Sequence, residues 1–510
     1  MKYLKNIKIG ALLLLISITA CNNDLDTDYT TGLGGDDLKG LIREYPEKLK
    51  SLVDGLYLFM VSYQGDHDSF NFAMTLHATD MMAQDISQPT SHYFSWDYLH
   101  RYRLAPNVRT AYIWNTFYTA IANGNRLLDM ADELSEYIIA YDEDFYNSCL
   151  SETYAVRGMA YLYLIQLYQE VTTKDAINLQ APGVPLYFST IDGIDELEAE
   201  ALKGRNTVER VFEQIEHDLT MALQLSENYN RLGDIRSINS DVIHGLLARF
   251  YLLSQQWNKA AEHANKAHAS YNLMSLEQLK SGFMDSNNTE WIWGYRHTIE
   301  TQTTLISWFS HISNNSPGYA GILSPRLIDY DLYVSIPDED VRKQLFNGPE
   351  GISPEDYQRF KKDIETAPSI QNPYASLKFG RKDDWTQDYP YMRAAEMILI
   401  EAEAYAQINE MTLAADAMRS LMENRQPGWN MIEVDVEYIY HQRRIELWGE
   451  GFSYFDLKRL YKGINRAYSN SNHSIPGQFE VKAGADNWVF QIPRREIQDN
   501  VHIDESEQND

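Results

Sequence analysis

Aromatic side chains stand beside acidic and amide side chains in two irregular stretches of the sequence, residues 64–106 and 285–330. A sugar ring has an apolar face edged with hydroxyl groups. An aromatic ring can therefore stack on the face while polar side chains bind the rim. The first stretch contains Asp80, Asp85, His92, Tyr93, Trp96, Tyr98, Arg101 and Tyr102, and the second contains Trp291, Trp293, Tyr295, Trp308, Phe309, Asn314 and Tyr319. Both stretches predict ligand binding by stacking and hydrogen bonding.

Three of these residues, Trp291, Trp293 and Asp80, fit a structural role as well as ligand binding. Trp291 and Trp293 alternate with Ile292, which is typical of a buried strand, so we do not count the two tryptophans as ligand residues. Asp80 follows Ala78-Thr79 at the end of a predicted strand. Its carboxylate can bind a ligand hydroxyl group, an ion or backbone N–H groups, and the last is the favoured interpretation. We keep Asp80 among the candidate ligand-binding residues.

Motifs that would indicate an enzyme are absent from the sequence. It has no H-E-x-x-H, no cysteine pair for zinc and no G-x-S-x-G, since residues 451–455 read GFSYF. A glycosidase needs two carboxylates about 5–9 Å apart, and a sequence with 73 acidic residues cannot show which pair would meet that distance. We predict that the protein is not an enzyme and holds no metal ion or cofactor. A hydrolase remains as an alternative.

The first 21 residues have the order of an export signal. Three lysines precede an apolar run at 9–20, and Cys21 follows directly. Twelve residues make a helix of about 18 Å, which is too short for a hydrocarbon core of about 30 Å. A cysteine at the cleavage point is typical of a bacterial lipoprotein, so we predict a signal peptide at 1–20 and acylation of Cys21. An ordinary secretory signal is the alternative.

Residues 21–39 are predicted to be an acidic, glycine-rich tether. Asp24, Asp26 and Asp28 alternate, but Tyr29 and Gly35 stand where a calcium-binding EF-hand needs glycine and glutamate. The acidic run is therefore either a solvated linker or a tag that directs a lipoprotein to the outer leaflet.

Charge and cysteine content exclude several classes of protein. The net charge of the full chain is −29, and removing residues 1–20 takes away three lysines and no acidic residue, which leaves −32. Such a chain is repelled by nucleic acid and by anionic lipid, so membrane attachment must come from the lipid on Cys21. If Cys21 is acylated, Cys149 is the only other cysteine and no intrachain disulfide can form.

Most of the remaining chain, residues 40–510, predicts one mostly α-helical domain with minor β structure. Amphipathic periodicity predicts helices at about 38–63, 107–137, 144–171, 206–226, 240–254, 257–270, 389–409, 412–425 and 434–462. Long irregular insertions separate them. No compositional break divides the chain into two domains.

Two helix pairs share the spacing of a tetratricopeptide repeat. Positions 248, 251, 257, 260, 264 and 267 carry small or large apolar residues at the same offsets as positions 402, 405, 411, 414, 418 and 421. A third pair would join the helix containing Ala160 and Tyr163 to a helix near Val211, and a fourth would join 40–62 to 107–134. Stacked repeats form a rigid base from which insertions emerge as loops. Ordinary helical hairpins are the alternative.

The chain resembles the SusD/RagB family of surface nutrient-binding lipoproteins from Cys21 to about Asn500. The resemblance is carried in combination by YAVRGMAYLY at 154–163, GVPL at 183–186, YMRAAEMILIEAEA at 391–404, QRRIELWGEGF at 442–452 and FQIPRRE at 490–496. It implies an extracellular lid on a SusC-like TonB-dependent transporter of the outer membrane, which receives a captured oligosaccharide or peptide. Family members often have ligand-binding aromatics in comparable loops, so our candidates are Trp96, Tyr98, Tyr295, Trp308 and Tyr319.

The C-terminal motif of the family is expected to be structural. Arg443, Arg444, Glu446 and Glu450 lie at spacings that predict ion pairs along one helix rather than a catalytic set. The function predicted from the sequence is therefore a tethered binding protein for an oligosaccharide. A peptide-binding member of the same class and a repeat scaffold that binds only proteins are the alternatives.

Overall fold

The structure is a computed structural model and describes residues 35–63, 65–231, 233–302 and 304–510. The signal peptide, Cys21 and the tether up to residue 34 lie outside the described residues. The described residues form 22 helices. They are α1 (Gly35–Glu44), α2 (Leu49–Tyr57), α3 (Asn71–Met82), α4 (Ser95–Tyr98), α5 (Val108–Glu133), α6 (Ser135–Tyr141), α7 (Glu143–Tyr168), α8 (Glu196–Ala201), α9 (Val208–Leu225), α10 (Ser240–Leu253), α11 (Trp257–His268), α12 (Leu276–Lys280), α13 (Trp308–Ile312), α14 (Tyr319–Ile322), α15 (Tyr330–Ser335), α16 (Pro354–Arg359), α17 (Lys361–Ile364), α18 (Ala394–Gln407), α19 (Met411–Arg425), α20 (Val436–Glu446), α21 (Ser453–Arg459) and α22 (Arg494–Asp499).

The predicted helix pairs are present. Helix α10 packs on α11, α11 on α18, and α18 on α19, so the two repeats stack directly on each other. The third predicted pair also forms, because α7 packs along α9 in spite of the insertion between them. Gly158 makes this approach possible, since a Cβ atom there would lie 3.1 Å from the Leu219 side chain. In the fourth pair, α2 contacts both α5 and α7.

Six short strands form three antiparallel pairs. They are β1 (Ile86–Ser87) with β3 (Leu327–Ile328), β2 (Trp291–Tyr295) with β4 (Tyr389–Arg393), and β5 (Ile464–Asn465) with β6 (Glu480–Val481). Strand β2 is buried along its whole length, as the alternation at 291–293 predicts. The pair β1–β3 joins the insertions at 64–106 and 285–388, and β2–β4 joins the two ends of the second insertion, whereas β5–β6 joins segments close in sequence.

Three predicted helices are wrong at their ends or interiors. Residues 389–393 form β4 instead of the start of a helix, because their backbone pairs with β2. The predicted helix at 38–63 is interrupted after Glu44 because Pro46 follows. The helix predicted at 434–462 ends at Glu446. Further along, Gly451 has a φ of +90°, a left-handed conformation that glycine favours and that a right-handed helix does not contain. Residues 35–39, assigned to the tether, belong to α1.

A buried ion network joins the insertion at 285–388 to the C-terminal repeats. Glu446 accepts hydrogen bonds from Arg342, Arg393 and Arg425 at 3.0–3.3 Å. Glu450 binds Lys378 and Arg393. The prediction of ion pairs within one helix is therefore wrong for this motif, since the partners of Glu446 and Glu450 come from distant segments.

The main apolar core runs from Ile42 to Ile492 and contains most of the large buried side chains of the described residues. A second apolar cluster lies between α18, α19 and α20. Among the described residues, no helix is both long and apolar enough to span a bilayer.

Candidate functional site

A cleft of about 460 Å³ opens in the insertion between α2 and α5. It is lined by Asp66, Asp68, His92, Tyr93, Phe94, Trp96, Tyr102 and Val108. The cleft combines the exposed ring of Trp96 and the half-buried rings of Tyr93 and Tyr102 with carboxylates, as expected for a surface that stacks on a ligand and hydrogen-bonds its edge.

Trp96 is the most exposed aromatic side chain of this cleft. Its side chain lies on the short helix α4 and is 53% exposed. The Trp96 ring lies 5.1 Å from the Tyr102 ring at an interplanar angle of 42°. The turn before α4 is fixed because the Ser95 hydroxyl accepts a hydrogen bond from the His92 N–H at 2.8 Å. The two rings therefore form a preformed apolar surface at the cleft.

An ion-paired arginine forms the base below these rings. Arg109, on the first turn of α5, donates to Asp97 at 3.0 and 3.1 Å and to the Asp68 carboxylate at 2.7 Å. Its guanidinium lies 4.6 Å from the Phe94 ring centre and 5.6 Å from that of Tyr102. Burial raises the pKa of Asp97 to about 6, and the Arg109 charge opposes that shift. Arg109 thus positions both carboxylates and both rings.

Histidine and tyrosine rings form one wall of the cleft. Tyr93 lies 4.7 Å from Tyr319, and His92 stacks on Tyr319 at 5.1 Å. The Tyr319 hydroxyl hydrogen-bonds His67, and His311 lies stacked on the other side of Tyr319 at 4.9 Å. The insertions at 64–106 and 285–330, which the sequence singled out separately, therefore meet at this wall.

The structure places the six sequence-predicted ligand residues in different surroundings. Trp96 lines the cleft. Tyr319 is half-buried and packs on the lining residues His92 and Tyr93 without lining the cleft itself. Tyr98 is buried and its hydroxyl bonds His473 Nδ1 at 2.7 Å. Tyr295 is buried in β2, and Trp308 is buried against Phe379 and Tyr389, as their ring contacts show. None of the three residues Tyr98, Tyr295 and Trp308 presents a ring face to solvent.

Asp80 has a structural environment. The sequence predicts a strand end here, but Asp80 lies in α3, where it is buried. Its carboxylate accepts hydrogen bonds from the Gly451 N–H at 2.7 Å and the Ser453 N–H at 3.2 Å, at the start of α21. Burial raises the pKa of Asp80 to about 8, although both N–H groups lower it. The capping of backbone groups is what the structure shows for this residue.

Sequence reasoning missed several cleft residues as candidates. Asp66 and Asp68 lie in the insertion at 64–106 but received no role, and Tyr93 and Tyr102 were noted only as members of it. The alternation of acids in Gly65-Asp66-His67-Asp68, before a stretch rich in aromatics, is a signal that could have indicated a polar cleft edge.

The stacked helical repeats, with a cleft formed by the loops inserted between them, place the protein in the class of helical-repeat proteins whose candidate binding site lies on loops. Two family models match the chain. The SusD family model covers residues 364–510, and a model described as "starch-binding associating with outer membrane" covers residues 43–252. The chain belongs to the SusD/RagB family, as its motifs indicate.

Solved structures share the fold along nearly the whole chain. A SusD-like carbohydrate binding protein from Bacteroides vulgatus is 23% identical with a TM-score of 0.76, covering 91% of this chain and 98% of that one. A laminarin binding SusD-like protein is 19% identical (TM-score 0.61; 91% and 98% covered). Surface glycan-binding protein A from Bacteroides uniformis is 16% identical (TM-score 0.65; 91% and 99% covered). In a comparison with curated protein sequences, none matches.

Proposed function

We propose that this protein is a cell-surface lipoprotein of the outer membrane that binds an oligosaccharide and delivers it to a SusC-like TonB-dependent transporter. The lipid anchor is Cys21, and the protein performs no chemistry on its ligand. Three lines of support are the export-signal order of residues 1–21, the family description that names starch binding and the outer membrane, and structural relatives that bind laminarin or surface glycans.

The observation that carries this proposal is the exposed ring of Trp96 next to Tyr102, above carboxylates held by Arg109. A single exposed apolar ring is common on protein surfaces, but this ring lies in a cleft beside a second ring and two carboxylates, which is the combination that a ligand site needs. Sugar rings have the flat apolar face that such a ring can cover, and the Asp66 and Asp68 carboxylates can accept hydrogen bonds from hydroxyl groups.

The same geometry argues against hydrolysis in this cleft. A glycosidase needs one carboxylic acid that can give its proton to the leaving oxygen and a second carboxylate opposite it. Asp68 instead binds Arg109 at 2.7 Å, and Asp97 is buried beneath the cleft in two bonds to the same guanidinium. Among the described carboxylates of the cleft, this leaves Asp66 as the one outside an ion pair, whereas a glycosidase needs two.

Isothermal titration calorimetry of the mature protein against starch and laminarin oligosaccharides and a panel of peptides tests the proposal. Trp96→Ala should weaken oligosaccharide binding by about 5- to 30-fold, because a stacked ring contributes about 1–2 kcal/mol through buried apolar area. Tyr141→Ala is the matched control, since Tyr141 is 55% exposed and lies beyond the far end of α5.

The results separate the alternatives. If the protein binds peptides from the panel but no oligosaccharide, its cargo is a peptide. No binding of either class, or equal affinity of Trp96→Ala and Tyr141→Ala, would refute the cleft as the ligand site. Release of reducing ends by the purified protein would refute the absence of catalysis.

A further inference from the structure

The charged side chains that line the cleft are all acidic. Among the described residues that line it, Asp66 and Asp68 carry charge and no lysine or arginine is present. Asp66 is exposed at the cleft edge, and its carboxylate has a single long contact, 3.4 Å from the Tyr112 hydroxyl. A ligand that enters this cleft therefore meets two carboxylates and no cationic side chain among the described lining residues.

The arginine that is buried below the cleft cannot supply a positive charge to the ligand. Arg109 is 2% exposed and is paired with two carboxylates, Asp97 and Asp68, so its own charge is more than balanced. Its guanidinium is also covered by the Phe94 and Tyr102 rings. An anionic ligand would have to displace Asp68 to reach it, which would leave a buried pair broken.

The negative charge of the cleft also affects the pKa of two nearby tyrosines. The pKa of Tyr112 is raised by burial and by the Asp66 charge, and the pKa of Tyr102 is raised by burial and by the Asp68 charge. A further negative charge, here on a tyrosine hydroxyl group, is therefore unfavourable in this region. The net charge of the whole chain, −29, adds repulsion of the same sign at long range.

We propose that this cleft selects neutral glycans and rejects glycans that carry carboxylate or sulfate groups. The inference rests on the proposed glycan-binding function and specifies its substrate class. Neutral sugars can donate hydroxyl hydrogens to Asp66 and Asp68 and stack on Trp96, so the carboxylates favour them. Each anionic group bound in the cleft instead comes close to the exposed carboxylate of Asp66 and to Asp68, whose partner Arg109 is already shared with Asp97.

A chemically matched pair of ligands tests this selection. The probes are gluco-oligosaccharides of the starch and laminarin types and the same oligosaccharides oxidised at C6 to uronates, so that linkage and length stay constant. Calorimetry at 50 mM salt should show at least about tenfold weaker binding of the oxidised form. This ratio should shrink at 0.5 M salt, because exposed charges are screened beyond a few ångströms there.

Asp66→Asn tests the residue most directly exposed to the ligand. It removes one charge without touching the Arg109 pairs, so the ratio of neutral to oxidised binding should fall about threefold or more. Asp132→Asn is the matched control. It makes the same change of net charge on an exposed residue near the far end of α5, 24 residues or about 36 Å from Val108.

The outcomes are distinct. If neutral and oxidised oligosaccharides bind equally, or if the oxidised form binds better, the charge selection is refuted while the glycan-binding function stands. If Asp132→Asn changes the ratio as much as Asp66→Asn, the selection comes from net charge and not from the cleft, which also refutes the inference. If neither form binds, the proposed function itself fails.

Discussion

Replacing Glu446 by glutamine should destabilise the protein more than any single surface change on the same helix. Glu446 is 2% exposed, and its two carboxylate oxygens accept four hydrogen bonds from Arg342, Arg393 and Arg425. These three arginines lower the pKa of Glu446 well below its usual range, although burial opposes them. Glutamine keeps the shape of the side chain but leaves three guanidinium groups in the core with one negative charge fewer.

The magnitude follows from the burial. Removing one partner of a buried ion pair costs about 3–5 kcal/mol of unfolding free energy, because the remaining charge is left uncompensated. The matched control is Glu437→Gln on the same helix. Glu437 pairs with Lys462 alone and its side chain is 69% exposed, so its loss should cost about 1 kcal/mol or less.

Urea unfolding followed by tryptophan fluorescence and circular dichroism measures both variants. Because the pKa of Glu446 in the folded protein lies below its unfolded value, its stabilisation is present above about pH 4.5 and is lost only as pH falls through the folded pKa. The difference between wild type and Glu446→Gln should therefore be the same at pH 8 and pH 6. Unfolding of Glu446→Gln at the same urea concentration as Glu437→Gln would refute the reasoning.

Two further changes test the core and the turn beside the cleft. His77 is buried with neither ring nitrogen hydrogen-bonded within the described structure, and burial and the Arg326 charge lower its pKa, so it opposes folding increasingly as pH falls below about 6.5. His77→Leu should reduce the loss of unfolding free energy between pH 7.5 and pH 5 by about 2 kcal/mol in urea titrations, and an unchanged loss would contradict this. Gly451→Ala should cost about 2–4 kcal/mol, since φ is +90° and the new Cβ would lie 2.6 Å from Leu76 Cβ. Gly428→Ala, with φ +84° and open space, should show only the backbone strain of about 1 kcal/mol, so equal costs would disprove the clash.

The helical repeats could be predicted from the sequence because their spacing depends on contacts that repeat locally. Ala248 in α10 and Ala260 in α11 are buried, and the same offsets in α18 and α19 hold Ala402 and Ala414, which are also buried. The helix prediction failed at Tyr389–Arg393 because these residues pair with β2, a strand distant in sequence that the local apolar period does not reveal.

The cleft could be predicted as a region but not as a set of side chains. Trp96 and Tyr98 are two residues apart on a single helical turn, yet one is 53% exposed and the other 2%. That difference depends on His473, which is 375 residues away and bonds Tyr98. Asp80 likewise owes its role to Gly451 and Ser453. Irregular insertions have no period from which such distant partners can be inferred.

Helix α5 fixes the distance between the two functional ends of the protein. Its first residue, Val108, lines the cleft, and its last residue, Glu133, pairs with Lys39 and Arg43 of α1, where the described chain begins. Twenty-six residues in one helix correspond to about 39 Å. With the proposed lipid on Cys21, the cleft would therefore be separated by this length from the point where the tether joins the folded domain, which would leave room for a long polymer to bind away from the anchor.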